Sequence, residues 1–157
     1  MNALIVYYSR SGKTKQIGES IAQALGCETE ELVDTQKRSG VFGFIKSGRQ
    51  AMQKKMTTLQ PLQKDVSSYD LVVIGTPMWA SRMSVPVFTF LNQNKDKLPD
   101  VSFFLTSGGT DKEATVFTAM EQICGKKPKT TLAVSEQQFK DKAQDALVQE
   151  FAKKLEA

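Results

Sequence analysis

At 157 residues the chain is long enough for one domain with a sizeable core and too short for two ordinary ones, so 1–157 is read as a single domain. Its 40% hydrophobic and 24% charged residues are those of a globular domain, and no apolar run approaches the length of a membrane span. The +4 net charge favours anionic partners, but the basic residues are scattered without an aromatic platform, which argues against nucleic acid.

Histidine is absent, and with it the commonest general base, metal ligand and activator of a nucleophile. Redox or group-transfer chemistry would therefore fall to a cofactor. Cys27 and Cys124 have no metal-type spacing. Reduced thiols, a cytoplasmic location, no signal peptide and no bound metal are the expectations.

Ala3, Leu4, Ile5, Val6, Tyr7 and Tyr8 form an apolar run of strand length. Ile17, Ile21, Ala24 and Leu25 then recur at helical spacing, and Gly26 is a natural helix stop. Between the two lies Ser9-Arg10-Ser11-Gly12-Lys13-Thr14, a hydroxyl-rich turn at the positive end of a helix. Free N–H groups there favour a phosphate. A weakly apolar second strand over 28–33 suits a sheet edge. A helix over 43–56 carries Lys46, Arg49, Lys54 and Lys55, either as a solvated basic face or as a lid beside the phosphate site.

The continuous apolar strand over 70–75 has the look of a parallel strand buried on both faces. It runs into Thr76-Pro77-Met78-Trp79-Ala80, and a helix begins near Ser84 with Pro86 in its first turn. A fourth strand over 101–106 opens into Ser107-Gly108-Gly109-Thr110-Asp111. A helix over 113–124 ends at Gly125. A fifth strand over 129–134 precedes a last helix over 137–155, with Phe139, Ala143, Leu147 and Phe151 inward.

Strict alternation of strand and helix predicts an α/β fold: a doubly wound, five-stranded parallel sheet in a three-layer sandwich, with order 2-1-3-4-5. Ligands of such sheets bind at the strand carboxyl ends where the order reverses, which is where the loops after strands 1, 3 and 4 meet.

Three phosphate-binding folds fail on particular residues. A nucleoside-triphosphate loop needs glycine where Tyr7 stands, and an acidic residue near Gly75-Thr76. A receiver domain needs acidic residues near the end of strand 1, where Tyr7 and Tyr8 stand, and a phosphoacceptor Asp after strand 3, where Gly75 and Thr76 stand; a low-molecular-weight phosphatase needs cysteine where Ser9 stands. What remains is a site with hydroxyls at Ser9, Ser11 and Thr14, suited to a phosphate monoester that needs no metal.

This loop resembles the flavodoxin phosphate loop, Thr/Ser-x-Thr/Ser-Gly-x-Thr, at Ser9, Ser11, Gly12 and Thr14. The 76–80 stretch is similar to the second flavin loop of short-chain flavodoxin-like proteins, and Ser107-Gly108-Gly109 resembles the third. The three motifs stand in the family's order over nearly the whole chain. The resemblance implies FMN, with the Ser9, Ser11 and Thr14 hydroxyls and the N–H groups from Arg10 to Thr14 on its phosphate. Lys13 replaces the usual uncharged residue; it either adds charge to the phosphate or points to water. Trp79 would pack against the flavin ring, or else plug the core. Pro77 and Met78 would shape the loop with Thr76 and Ala80. Residues Ser107, Gly108, Gly109, Thr110 and Asp111 would offer backbone groups to the ring's pyrimidine edge, unless the glycine pair is only a turn.

Flavodoxins are typically acidic and cover the second flavin face with another aromatic. This chain is basic, and its third loop has none, which implies one open face. Arg82 and Lys112 flank the two ring loops, and cations there favour the reduced, anionic flavin. The family implies electron transfer to a redox partner protein or a small acceptor such as a quinone. An NAD(P)H-dependent quinone oxidoreductase and a flavodoxin-fold binding domain without FMN are the alternatives. No catalytic residue is assigned.

Overall fold

The computed structural model describes residues 1–35 and 56–157. The helix expected over 43–56, with its basic face, lies outside the described residues apart from Met56. Strand β1 is Ala3–Tyr7, helix α1 Lys13–Leu25 and strand β2 Glu28–Glu31. After a short 3-10 turn at Val66–Ser68 come β3 (Leu71–Trp79), β4 (Arg82–Met83) and α2 (Val85–Asn94). Strand β5 (Asp100–Ser107), α3 (Glu113–Cys124), β6 (Thr131–Ser135), α4 (Glu136–Lys140) and α5 (Gln144–Glu156) complete the described chain.

The sheet runs β2-β1-β3-β5-β6, every neighbouring pair parallel, and β4 attaches to the end of β3. The five long strands thus have the expected 2-1-3-4-5 order. All five residues of β1 are buried because both faces of the sheet are covered. Leu4 and Val6 pack with Val72, Ile74, Phe103 and Leu105 under α2 and α3. Ala3, Ile5 and Tyr7 pack on the other face with Ile17, Ile21, Phe151 and Leu155 from α1 and α5. Alternate side chains of one strand therefore feed two separate cores. At Gly75 a Cβ would come within 2.0 Å of the Phe104 ring, so the third strand gives up a side chain to seat an aromatic from the fifth.

Strand β2 is the acidic edge. Glu30 is buried, and its carboxylate accepts hydrogen bonds from the N–H groups of Gln63 (2.7 Å) and Lys64 (2.8 Å). Gln60 N–H donates to the Val33 carbonyl, Thr35 N–H donates to Thr58, and Asp34 bridges antiparallel to Leu59. The returning chain thus pairs with the segment that follows the edge strand, which limits pairing with another molecule.

Three expectations need correction. The third strand does not stop at Gly75: it continues to Trp79 and folds back as a hairpin, Met78 facing Met83 and Trp79 facing Arg82. The two turn residues, Ala80 (φ 48) and Ser81 (φ 59), lie in the left-handed region, as a tight type I′-like turn requires. The last helix is two helices, broken at Lys142 (φ 55). Ser135 and Gln138 form a capping box that starts the first of them, and the break moves the buried face of the second to Val148, Phe151, Ala152 and Leu155. The final strand begins at Thr131; just before it Lys129 N–H donates to the Val101 carbonyl at 2.9 Å, and its ammonium pairs with Asp100 at 3.2 Å.

Candidate functional site

The carboxyl ends of β1, β3 and β5 lie side by side, and three contacts bind their loops together. Tyr8 N–H donates to the Gly75 carbonyl at 3.3 Å, joining the first loop to the third strand. The hydroxyls of Thr14 and Thr106 are 2.8 Å apart, joining the start of α1 to the end of β5. Pro77 stands opposite Thr106 in the β3–β5 register. The sheet therefore brings all three sequence-predicted loops to one edge.

Within the first loop, Ser9 Oγ accepts a hydrogen bond from Gly12 N–H at 3.0 Å, which closes the turn. Gly12, at φ 101, is the N-cap of α1, and no side chain caps that end. The first helical turn holds no acidic residue. Its N–H groups and dipole end therefore face the loop without a competing anion on their own helix. Arg10, Ser11 and Gly12 are exposed, and a Cβ at Gly12 would have nothing within 4 Å, so the backbone there borders open space.

Two loop side chains are already engaged elsewhere. The Thr14 hydroxyl is buried against Thr106. The half-exposed Lys13 ammonium is 3.7 Å from Glu136 and 5.6 Å from the centre of the Phe139 ring, which links α1 to α4.

In the second loop the Thr76 side chain turns inward. Its hydroxyl accepts from Ser84 N–H at 2.9 Å and lies 2.8 Å from the Pro77 carbonyl, so it fastens the hairpin to the start of α2. Trp79 is only 5% exposed and meets Tyr8 edge-on, with ring centres 5.5 Å apart and planes at 87°. Pro77 and Met78 are partly buried, whereas Ala80 is exposed.

The third loop is the most open. Gly109 N–H donates to Ser107 Oγ at 3.2 Å, and Ser107 Oγ donates to Glu113 at 3.3 Å. Gly108 to Asp111 are all exposed, with Gly109 at φ 95. The glycine pair thus does form a turn, and its outer side is clear of neighbours.

Sequence reasoning missed Tyr8, Ser84 and Thr106 as parts of this edge. A threonine closing an otherwise apolar strand was the available signal at Thr106. Both thiols are held towards the neutral form: burial, aided by Glu28, pushes Cys27 up to about 11, and burial raises Cys124 as well. Among the described residues no cluster of three or more metal-ligating side chains exists, and no helix is long and apolar enough to cross a membrane.

No protein-family model matches the chain, and no curated protein matches it either. Solved structures do. A flavoprotein in complex with FMN from Lactobacillus acidophilus NCFM is 25% identical, with a TM-score of 0.71 over 89% of this chain and 97% of that one. The apo-form of the flavoprotein from Lactobacillus acidophilus NCFM is 27% identical, with a TM-score of 0.62 over 88% of this chain and 95% of that one. The two-electron reduced flavodoxin of Megasphaera elsdenii is 21% identical, with a TM-score of 0.61 over 96% and 98%. The fold is flavodoxin-like.

Proposed function

We propose that this flavodoxin-like chain binds FMN across its three carboxyl-edge loops and serves as a redox protein, passing electrons to a protein partner or to a small acceptor such as a quinone. The observation that carries the reading is the uncapped start of α1, where Gly12 opens the backbone and hydroxyls stand at Ser9, Ser11 and Thr14. The donor set fits a phosphate monoester, since hydroxyl and N–H groups hold a dianion without a metal. The solved flavoprotein of Lactobacillus acidophilus, named as a complex with FMN, supports the choice of ligand.

FMN supplies the one- or two-electron transfer when bound. The protein's part is to hold and shield it. Ser11 and the N–H groups of the 10–14 turn would grip the phosphate, with Ser9 and Thr106 keeping the turn and Thr14 in place. The hairpin after β3 and the 107–111 turn would hold the ring edge. Trp79, packed on Tyr8, would act as the floor of the hairpin rather than as a free stacking plane.

The exposed 108–111 turn, which has no aromatic, favours a second reading in which one ring face admits a small acceptor in an NAD(P)H-dependent quinone reduction. Steady-state NAD(P)H–quinone turnover by the FMN-loaded protein separates it from a carrier. The free thiols at Cys27 and Cys124 support a reducing, cytoplasmic location.

Titration of apoprotein with FMN tests the common core of both readings. Binding should quench the fluorescence of Trp79, the single tryptophan, to saturation. Unchanged fluorescence, together with complete loss of the flavin on gel filtration, would leave the chain a flavodoxin-fold binding domain.

A further inference from the structure

Beside the hairpin, and away from the phosphate loop, a cavity of about 510 Å³ opens between the β3–β4 turn, α2 and α3. That volume lies in the usual range for small-molecule sites. Phe88 of α2, Met83 of β4 and Ala119 and Ile123 of α3 give it apolar walls. Arg82 and Lys112, both exposed, supply its cations. Among the described residues none that lines it is acidic, and none forms an ion pair with either cation. Of the two acids next to Lys112 in sequence, Glu113 is engaged by Ser107, and Asp111 is exposed on the third loop and does not line the cavity. The backbone of Arg82 is set by its register with Trp79, and that of Lys112 by its place as N-cap of α3. Of the residues assigned to FMN, only Ala80 borders this cavity.

We propose that the cavity is a second binding site, for a small flat aromatic molecule carrying one negative charge, with its ring against Phe88 and Ile123 and its anion between Arg82 and Lys112. Apolar walls without a cation would accept any greasy solute, and exposed cations without walls would hold only inorganic anions weakly. The combination selects amphipathic anions, because the ring pays for desolvation while the charge-assisted contacts orient it. The hairpin and its two cations also border the loops assigned to the flavin ring, but the probes below need no FMN, so this site and the flavin reading fail in separate experiments.

The test uses naphthalene-2-sulfonate as the anionic probe and naphthalene-2-sulfonamide as its neutral counterpart, each titrated into the purified protein and followed by amide-resolved NMR. Saturable shifts centred on Arg82, Ala119 and Ile123 are expected, with the sulfonamide at least about tenfold weaker. The paired substitution Arg82→Gln with Lys112→Gln should weaken the sulfonate by about the same factor. Thr115→Trp, at an exposed lining position, should block binding while the rest of the spectrum stays native. Should it disturb the fold, Ala119→Leu narrows the same wall. Equal affinity for the charged and neutral probes would overturn the proposal, as would shifts confined to the 9–14 loop or undiminished binding in a folded blocking variant.

Discussion

Gly12 sits at φ 101, a region that strains any L side chain, yet a methyl group placed there would touch nothing within 4 Å. Gly12→Ala therefore isolates backbone strain from steric clash. A loss of about 1–2 kcal/mol is expected, seen as a lower urea midpoint with an unchanged slope. FMN affinity should fall with it, since the strained turn presents the phosphate donors. Thr14 poses a different question, because its hydroxyl already has a partner in Thr106. Thr14→Val alone leaves the Thr106 hydroxyl unsatisfied and should cost about 1–3 kcal/mol. Replacing both threonines by valine removes the two polar groups together and should restore much of that stability. If the double variant also binds FMN as tightly as the parent, Thr14 positions α1 and does not hold phosphate. The hydroxyl pattern of this loop could be read from the residues alone, but the engagement of Thr14 and Lys13 could not. Both depend on partners, Thr106 and Glu136, that are distant in sequence and adjacent only once β5 and α4 are in place.

At the level of elements, the hairpin after β3 is the feature that local sequence conceals. Two-residue turns with positive φ at both positions favour Asn-Gly, and Ala80-Ser81 carries no such signal. The continuous amphipathic pattern of the last helix likewise hid its break at Lys142, although Ser135 and Gln138 stand at capping-box spacing. Apolar runs and glycine stops, by contrast, placed α3 at its observed bounds and β5 to within a residue at each end, because burial on both sheet faces leaves few alternatives. The hairpin strain gives a direct prediction. Ala80→Asn combined with Ser81→Gly fits the same dihedral angles without the side-chain penalty and should stabilise the fold by about 1 kcal/mol. Thermal melting should shift upward by about 2–4 °C. A lower melting temperature would mean that Ala80 and Ser81 make contacts worth more than the strain they bear.

The whole molecule follows from alternation: successive parallel strands need crossovers, helices then cover both faces, and the strand order reverses beside β1. The charge behaviour of the assembled fold is less evident from the residues, because it depends on what the strands bury. With no histidine, no side chain of ordinary pKa titrates between pH 6 and 8, and stability should be nearly flat there. Above that range two acids, the buried Tyr7 and the partly buried Cys27, oppose unfolding less and less. Burial, reinforced by Glu31 and Glu19, pushes Tyr7 up to about 12 from 10.0, and burial pushes Cys27 up to about 11 from 9.0. Each group has a folded-state pKa above its unfolded value, so the native state holds the neutral form. Unfolding releases protons once the pH passes the unfolded pKa, and the native state loses ground until its own pKa is reached. Cys27 acts first, between about pH 9 and 11, and Tyr7 follows between 10 and 12. The Tyr7 shift corresponds to a loss on the order of 2–3 kcal/mol across its window. Urea titrations at pH 7, 9 and 11 should therefore show a plateau followed by a decline. In Tyr7→Phe the decline should be shallower, even if the variant starts from lower stability at pH 7. An equally steep decline in that variant would assign the alkaline transition to groups other than Tyr7.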